Sequence, residues 1–431
     1  MKTYLYDLYA AFRQHPKIVT DSRKVVPGSI FFALRGDNFN GNAFAEEALD
    51  NGAAYAVIDE QKYLAGSRYF LVDNVIRTLQ ELAVHHRSQL KIPVIGITGT
   101  NGKTTTKELI SKVLSKKFRT SSTTGNLNNH IGVPLSVLQI KPDDEIAVIE
   151  MGANHPGEIA ALSKIAMPDH GLITNIGKAH LEGFITYEGV IIAKNELYQH
   201  LNEHQGHVFV NGSDDLLMRL SVNLKRTTYG TIENADTYGK LSGIFPFVSI
   251  DVLFGEKTKE MNSKLIGAYN FDNLMAAACI GVYFGVEANR IKAAIEGYIP
   301  ANNRSQIIDT RKNKVILDAY NANPTSMEAA LRSFAAYPVD NKMLIIGDML
   351  ELGPSSHSEH LRMLDIINSL DFKDVILVGR FFTMVSRNTE TQSFLTVAKA
   401  NHWFKSHRPE NKTILVKGSR GIMLEDVLKI L

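Results

Sequence analysis

Short apolar runs alternate with stretches of helical periodicity through the middle of this chain. The runs that predict buried strands are 92–97, 146–149, 171–174 and 208–210, and the predicted helices are 107–114, 155–165 and 187–201. Strands that alternate with helices form a parallel sheet with helices on both faces. Residues 227–266 have Gly-bearing turns and predict an antiparallel β-rich insertion, which helical patterns at 271–284 and 289–297 follow.

A second α/β pattern begins after the polar break at residues 300–303. Its predicted strands are 315–318, 343–346, 375–378 and 413–416, with helices from Ser326 and over 359–367. No G-x-G-x-x-G follows its first strand, so a redox dinucleotide is not indicated. Residues 1–88 hold shorter strands and helices and end in a helical pattern at 75–90. We therefore expect an α/β fold of three domains, at residues 1–88, 89–302 and 303–431.

Composition places the chain among ordinary globular proteins. It has 431 residues, 44% of them apolar and 21% charged, and its net charge of +2 does not indicate nucleic-acid or membrane-surface binding. The single cysteine, Cys279, lies in an apolar helical stretch and is expected to be a core residue. No apolar run reaches transmembrane length, and no signal peptide is visible. We expect a cytoplasmic protein without membrane insertion.

The most informative segment is 96–106, which reads GITGTNGKTTT. It joins a predicted strand to a predicted helix, the arrangement in which backbone N–H groups hold nucleotide phosphates. Lys103 would supply a point charge and Thr104 a hydroxyl for Mg²⁺. The common spacing would put a glycine at Ile97, so the strict motif is missed, and an ordinary Gly-rich turn is the alternative.

Polar residues follow other predicted strands, where the ligand crevice of a parallel sheet lies. Glu150 leaves one strand and suits a metal ligand, or it caps the next segment. His180 lies in the loop after another strand, and its residue type also fits a surface histidine. Lys194 lies in a half-buried helical pattern and, taken alone, fits a solvated lysine.

Three loops are rich in amides and carboxylates. They are 123–134, with Asn126, Asn128 and Asn129; 318–325, with Asp318, Tyr320, Asn321 and Asn323; and 347–353. Such loops suit a polar ligand, and plain Asx turns or helix caps are the alternative.

The stretch 98–104, TGTNGKT, is similar to the signature of the Mur ligases and their folylpolyglutamate synthetase relatives. The resemblance covers essentially the whole chain and explains the displaced glycine. It implies a small N-terminal α/β domain that binds UDP, a central P-loop ATPase domain with a parallel sheet plus a β-rich segment, and a C-terminal Rossmann-like domain. Stretches at 20–23, 26–28 and 31–36 resemble the uridine-diphosphate-binding part, which the folate relatives lack.

The resemblance also implies roles for individual residues. Gly99, Thr100, Asn101, Gly102, Lys103, Thr104, Thr105, Asn270, Arg304 and Asp318 would bind ATP. Thr104, Glu150, His180 and Lys194 would serve Mg²⁺, with Lys194 as a possible carbamate. Lys103, Glu150, His180, Lys194, Arg304 and Asp318 would be catalytic. Ser22, Arg23, Asn126, Asn128, Asn129, Tyr320, Asn321 and Asn323 would contact substrates. Many members carry a histidine where Tyr269 stands.

Within the family, the stretches 125–134, 150–159, 320–324 and 347–353 most resemble the members that join D-alanyl-D-alanine to UDP-N-acetylmuramoyl-tripeptide. The implied reaction forms an amide bond through an acyl phosphate and releases ADP and phosphate. We expect a monomer that uses these substrates and no nucleic acid. Two alternatives stay open: the member that adds the third residue, diaminopimelate or lysine, and a non-catalytic nucleotide-binding protein with a degenerate site.

Overall fold

The computed structural model describes residues 3–300, 303–387, 389 and 391–431. The predicted domain boundary at residue 302 lies outside the described residues. In the described part, no helix is both long and apolar enough to cross a membrane.

The N-terminal residues form a four-stranded parallel sheet of order β1-β2-β5-β6 and a small antiparallel pair, β3-β4. The strands are β1 (Ile18–Val19), β2 (Ile30–Phe32), β3 (Arg35–Gly36), β4 (Phe39–Asn40), β5 (Tyr55–Ile58) and β6 (Tyr69–Leu71); the helices are α1 (Thr3–Gln14), α2 (Ala45–Asp50) and α3 (Val75–Gln89). Helix α3 shares one buried apolar cluster with α1 and with the central sheet's helices, so the first two parts of the chain share a core.

A nine-stranded sheet of order β15-β14-β13-β12-β11-β10-β7-β9-β8 forms the centre. Its strands are β7 (Val94–Thr98), β8 (Thr120–Ser122), β9 (Ile146–Glu150), β10 (His170–Ile173), β11 (His207–Asn211), β12 (Lys225–Gly230), β13 (Thr237–Gly243), β14 (Ser249–Phe254) and β15 (Lys257–Asn262). Its helices are α4 (Lys103–Leu114), α5 (Gly132–Leu138), α6 (Glu158–Ala166), α7 (Leu181–Phe184), α8 (Tyr187–Glu203), α9 (Asp215–Leu220), α10 (Asn270–Tyr283) and α11 (Ala288–Glu296). The predicted strand and helix alternation is confirmed.

The predicted antiparallel β-rich insertion at 227–266 is confirmed for β13, β14 and β15, which pair antiparallel, but its first strand differs. β12 pairs in parallel with β11, and β13 begins in parallel with β12 before it pairs antiparallel with β14. The short helix α9, capped by the Asp214 side chain, provides the crossover that parallel pairing requires. The segment therefore extends the central sheet.

Helices α4 and α6 of the central part begin at residues that differ from the starts predicted by the apolar pattern. α4 begins at Lys103 because Gly102, at φ +79°, turns the chain directly into the helix. α6 begins at Glu158, after Gly157 at φ +86°, instead of at His155. Both starts lie at the carboxyl edge of the sheet, where β7, β9 and β10 are neighbours.

The C-terminal part is a six-stranded sheet of order β16-β17-β21-β18-β19-β20, parallel except for β16. Its strands are β16 (Gln306–Asp309), β17 (Lys314–Asp318), β18 (Lys342–Gly347), β19 (Asp374–Val378), β20 (Gln392–Phe394) and β21 (Thr413–Lys417); its helices are α12 (Pro324–Ala335), α13 (Ser356–Ser369), α14 (Arg380–Val385) and α15 (Val397–Phe404). Apolar clusters cover both faces of this sheet. The predicted Rossmann-like architecture is confirmed.

Candidate functional site

A cavity of about 890 Å³ lies between the carboxyl edge of the central sheet and the loops of the C-terminal sheet. Predicted site residues in its wall are Thr100, Asn101, Gly102, Lys103, Thr104, Thr105, Asn126, Asn128, Asn129, Glu150, His180, Asn270, Arg304, Asp318, Tyr320, Asn321 and Asn323. The cavity wall therefore combines residues of the central sheet, of the C-terminal sheet and of the segment that joins the two sheets.

The P-loop is held tightly against its surroundings. A Cβ on Gly99 would stand 2.0 Å from Thr174 Oγ1, and one on Gly102 would stand 2.5 Å from Asn273 Oδ1. The Lys103 ammonium donates to the carbonyl of Gly99 at 2.8 Å and to that of Thr100 at 3.0 Å. Burial lowers the pKa of Lys103 to about 8, against the opposing effect of Glu150. The Lys103 ammonium therefore lies directly over the P-loop backbone, which leaves no room for a side chain at Gly99 or Gly102.

Glu150 and Thr104 form a set of oxygen donors beside this loop. Glu150 Oε1 accepts from Thr104 Oγ1 at 3.1 Å and from Asn128 Nδ2 at 2.8 Å. Glu150 Oε2 is buried without a hydrogen-bond partner. In the described residues, no three His, Cys, Asp or Glu side chains gather closely enough to hold a metal by themselves. The set fits Mg²⁺, which keeps several waters and binds substrate phosphates beside one or two protein ligands.

His180 and Lys194 lie at different depths. His180 reaches the cavity wall, and its Nδ1 lies 2.6 Å from Glu351 Oε2, close in distance but outside good hydrogen-bond angles. Lys194 is 2% exposed and lies behind the wall. Its Nζ is 3.4 Å from the Ala153 carbonyl and 5.3 Å from the Phe184 ring centre. Burial, with the nearby Lys103 charge, lowers the pKa of Lys194 to about 7.

The C-terminal sheet brings its own charged and amide groups to the cavity. Asp318, at the end of β17, accepts from Lys417 at the end of β21 at 2.5 Å. The Arg304 guanidinium stacks 3.6 Å above the Tyr320 ring, and its Nε has no hydrogen-bond partner.

Amide contacts join or support these two sheets. Asn323 Nδ2 donates to Asn101 Oδ1 at 2.8 Å, which connects helix α12 to the P-loop. Two of the amide side chains predicted to bind substrate also accept hydrogen bonds from the local backbone. Asn129 Oδ1 accepts from the backbone of Ile131 and Gly132, as in the Asx-turn alternative. Asn321 Oδ1 accepts from the next backbone N–H.

The Asn270 side chain also forms hydrogen bonds with neighbouring residues. Its side chain donates to the Ile266 carbonyl at 2.8 Å and accepts from Asn273 at 2.8 Å. Two predicted residues lie elsewhere: Ser22 and Arg23 start a short 3-10 helix in the N-terminal part and are not in the cavity wall. The Arg23 side chain, 84% exposed, pairs with Asp21 at 2.9 Å.

The sequence reasoning missed several residues that shape the site. Asn175 accepts from the Asn101 backbone at 3.0 Å, and Asn273 accepts from Thr106 Oγ1 at 2.8 Å. Asn273 lies one helical turn after Asn270, a spacing that could have indicated it. Glu351, within the recognised loop 347–353, was not singled out, since only the fold brings it to His180.

Models of Mur ligase domains match three successive parts of the sequence. The model described as "Mur ligase family, catalytic domain" matches residues 17–99, the Mur ligase middle domain matches 97–281, and the "Mur ligase, glutamate ligase domain" matches 303–420.

Curated relatives and solved structures match nearly end to end. The UDP-N-acetylmuramoyl-tripeptide–D-alanyl-D-alanine ligase of Bacillus subtilis is 34% identical, over 96% of this chain and 92% of that protein. The ligase of that name in Escherichia coli is 32% identical, over 96% and 93%. The crystal structure of MurF from Acinetobacter baumannii superposes with a TM-score of 0.86 at 30% identity, over 96% and 92%. MurF ligase from Thermotoga maritima in complex with ADP gives 0.84 at 26%, over 100% and 98%. This chain belongs to the Mur ligase family.

Proposed function

We propose that this protein is an ATP-dependent ligase that joins D-alanyl-D-alanine to UDP-N-acetylmuramoyl-tripeptide in peptidoglycan precursor synthesis. The observation that carries the proposal is that the P-loop and Glu150 share one cavity with Arg304 and Asp318. Two relatives with this activity in their names support the choice of substrates. Three domains, at 1–88, 89–302 and 303–431, would bind the UDP sugar, ATP and the incoming dipeptide respectively.

The nucleotide would lie over the P-loop. Backbone N–H groups of residues 102–105, at the N-terminus of α4, would bind the phosphates, whereas those of Thr100 and Asn101 are held by Asn175. On nucleotide binding, the Lys103 ammonium would give up its hydrogen bonds to the carbonyls of Gly99 and Thr100 and would neutralise the phosphate charge instead. Arg304 and Asp318 would close over the nucleotide from the C-terminal side, and Asn270 would lie at the adenine.

Thr104 and Glu150 would hold Mg²⁺, with His180 near a second ion. Mg²⁺ would neutralise the charge that develops on the transferred phosphoryl group. The unpartnered Glu150 Oε2 supports this assignment, because a buried carboxylate oxygen without a donor suits a cation.

Lys194 would serve the same site as a carbamate. Only a neutral amine reacts with carbon dioxide, and a pKa of about 7 makes a large neutral fraction available near neutral pH. The carbamate would convert a buried cation into an oxygen donor. Its burial behind Ala153 would shield the adduct from water.

In the reaction, a carboxylate oxygen of the tripeptide attacks the γ-phosphorus of ATP, and ADP leaves. The dipeptide amine then attacks the carbonyl carbon of the acyl phosphate, loses a proton, and phosphate leaves. The protein positions the two acceptors and neutralises charge. Ser22 and Arg23 would bind the UDP end, Asn126, Asn128 and Asn129 the peptide, and Tyr320, Asn321 and Asn323 the dipeptide.

Two substrate pairs test the proposal. The protein is incubated with ATP and Mg²⁺, together with UDP-N-acetylmuramoyl-tripeptide and D-alanyl-D-alanine, or with the dipeptide precursor and diaminopimelate or lysine. We expect phosphate release only with the first pair. Turnover only with the second would identify the ligase of the third residue, and ATP binding without turnover would indicate a degenerate site. Gel filtration and cell fractionation test the expected monomer and cytoplasmic location.

A further inference from the structure

One short stretch of the central part carries a dense set of contacts with the C-terminal sheet. We call residues 177–182, which run from the loop after β10 into the start of α7, the docking segment. The Lys178 N–H donates to Thr325 Oγ1 at 3.1 Å, and the Lys178 ammonium lies 3.2 Å from Glu359. The Glu182 N–H donates to the Glu351 carbonyl at 3.3 Å. His180, a predicted metal ligand, lies in the middle of this stretch.

Within the docking segment, the contact of His180 with Glu351 determines how the imidazole can act. Nδ1 and the Glu351 carboxylate are 2.6 Å apart, and a nitrogen lone pair facing a carboxylate at that distance would be repelled. Nδ1 is buried against this carboxylate, so a neutral imidazole is favoured in the tautomer that keeps the lone pair of Nε2 for a cation or its water.

Glu351 is held in place by the loop that carries it. The Met349 N–H donates to His360 Nε2 at 3.0 Å, and the Leu350 N–H donates to Ser419 Oγ at 2.9 Å. Asp348 accepts from the backbone of α14 at 2.9 Å. Glu351 itself adopts φ +64°, a conformation that few non-Gly residues take without support from their surroundings. A carboxylate on so firmly tied a loop can orient a partner.

We propose that Glu351 is a positioning residue that sets the tautomer and orientation of His180, and that it does so only when the C-terminal sheet is docked. The proposal rests on the proposed function of His180 at the metal site. Metal-binding histidines commonly donate their second ring N–H to a carboxylate, and loss of that carboxylate weakens metal binding about 10- to 100-fold. Here the carboxylate comes from another part of the chain, so docking and metal affinity are coupled.

The test measures Mn²⁺ binding by electron paramagnetic resonance, with a non-hydrolysable ATP analogue bound. Glu351→Ala is expected to weaken Mn²⁺ binding about tenfold or more, and Glu351→Gln, which keeps an acceptor oxygen, less. The matched control is Glu410→Ala, because Glu410 is another half-exposed carboxylate of the C-terminal part, paired with Lys312 at the surface. It should bind Mn²⁺ like the unaltered protein.

His180→Ala separates this inference from the function on which it rests. If His180→Ala weakens Mn²⁺ binding and Glu351→Ala does not, Glu351 is no positioning residue. If neither weakens it, the metal role of His180 is wrong. Equal losses in the Glu351→Ala and Glu410→Ala proteins would also overturn the proposal, since they would indicate a general electrostatic effect.

Gly177→Ala tests the coupling to docking with both site residues intact. The new Cβ would stand 2.8 Å from Thr325 Oγ1 and 3.2 Å from Thr325 Cβ, so rotation of that side chain cannot relieve the contact. We expect the docking segment to pack less firmly on Thr325, which faster amide hydrogen exchange of residues 177–182 would report, together with weaker Mn²⁺ binding. Faster exchange with unchanged Mn²⁺ affinity would refute the coupling.

Discussion

Replacement of Lys417 by methionine should destabilise the C-terminal sheet by about 3 kcal/mol, at the lower end of the cost of breaking a buried ion pair. The Lys417 side chain is 3% exposed, that of Asp318 is 18% exposed, and their charged atoms are 2.5 Å apart. At an effective dielectric constant of about 20, such a pair attracts by about 7 kcal/mol, much of which desolvation offsets. Methionine has a similar volume to lysine but leaves the Asp318 carboxylate without its ion-pair partner. Water at the exposed part of Asp318 reduces the resulting loss of stability.

The single tryptophan provides the assay. Trp403 lies on α15 in the C-terminal part and stacks on His407, so its fluorescence reports unfolding of this part. Urea unfolding of Lys417→Met should show a lower midpoint with an unchanged slope. The double variant Asp318→Asn, Lys417→Met should regain most of the stability but not the activity, since Asp318 is proposed to close over ATP. A single variant within about 1 kcal/mol of the unaltered protein would refute the reasoning.

Three further predictions concern other lysines and a histidine. Lys103→Ala should abolish ADP formation and leave UDP-sugar binding, measured by calorimetry, largely intact; loss of both would contradict the division of labour between domains. Lys194→Arg keeps a cation that cannot form a carbamate, so phosphate release should fall to background, whereas the unaltered protein should lose activity in CO₂-free buffer and recover it with bicarbonate. No response of the unaltered protein would exclude the carbamate. Burial lowers the pKa of His170 from 6.5 to about 4, so between these values the unfolded chain binds more protons and stability falls as pH falls. The loss due to His170 is at most about 3 kcal/mol, less where water reaches the ring, so the stability of His170→Phe in urea should fall less steeply with pH than that of the unaltered protein.

The parts of the fold that could be predicted depend on local patterns. Buried strands such as β7 and β9 are continuous apolar runs, and Gly99 and Gly102 mark the turn from β7 into α4. The edge strands β16 and β20 were missed because they are short and half-exposed. The parallel pairing of β12 was missed because the brief crossover helix α9 was not recognised.

For the site, residue types that follow strands were predictable, and their partners were not. Asn101 and Asn323 are 222 positions apart, and nothing local to either residue indicates their hydrogen bond. The same holds for His180 and Glu351. Lys194 fits a solvated lysine by its neighbours, and only the packing of α8 shows it to be buried. The fold class follows from local patterns, whereas contacts between domains require the assembled chain.

The position of the docking segment has a kinetic consequence. Its contacts with Thr325 and Glu351 border the cavity that would hold the products, and its ion pair with Glu359 adds to the same joint. We expect release of ADP and of the sugar-linked product to require these contacts to break and re-form in every catalytic cycle. Their combined strength would then set an upper limit on turnover. Added viscogen should slow the unaltered protein more than the Gly177→Ala variant, in which the joint is already weakened.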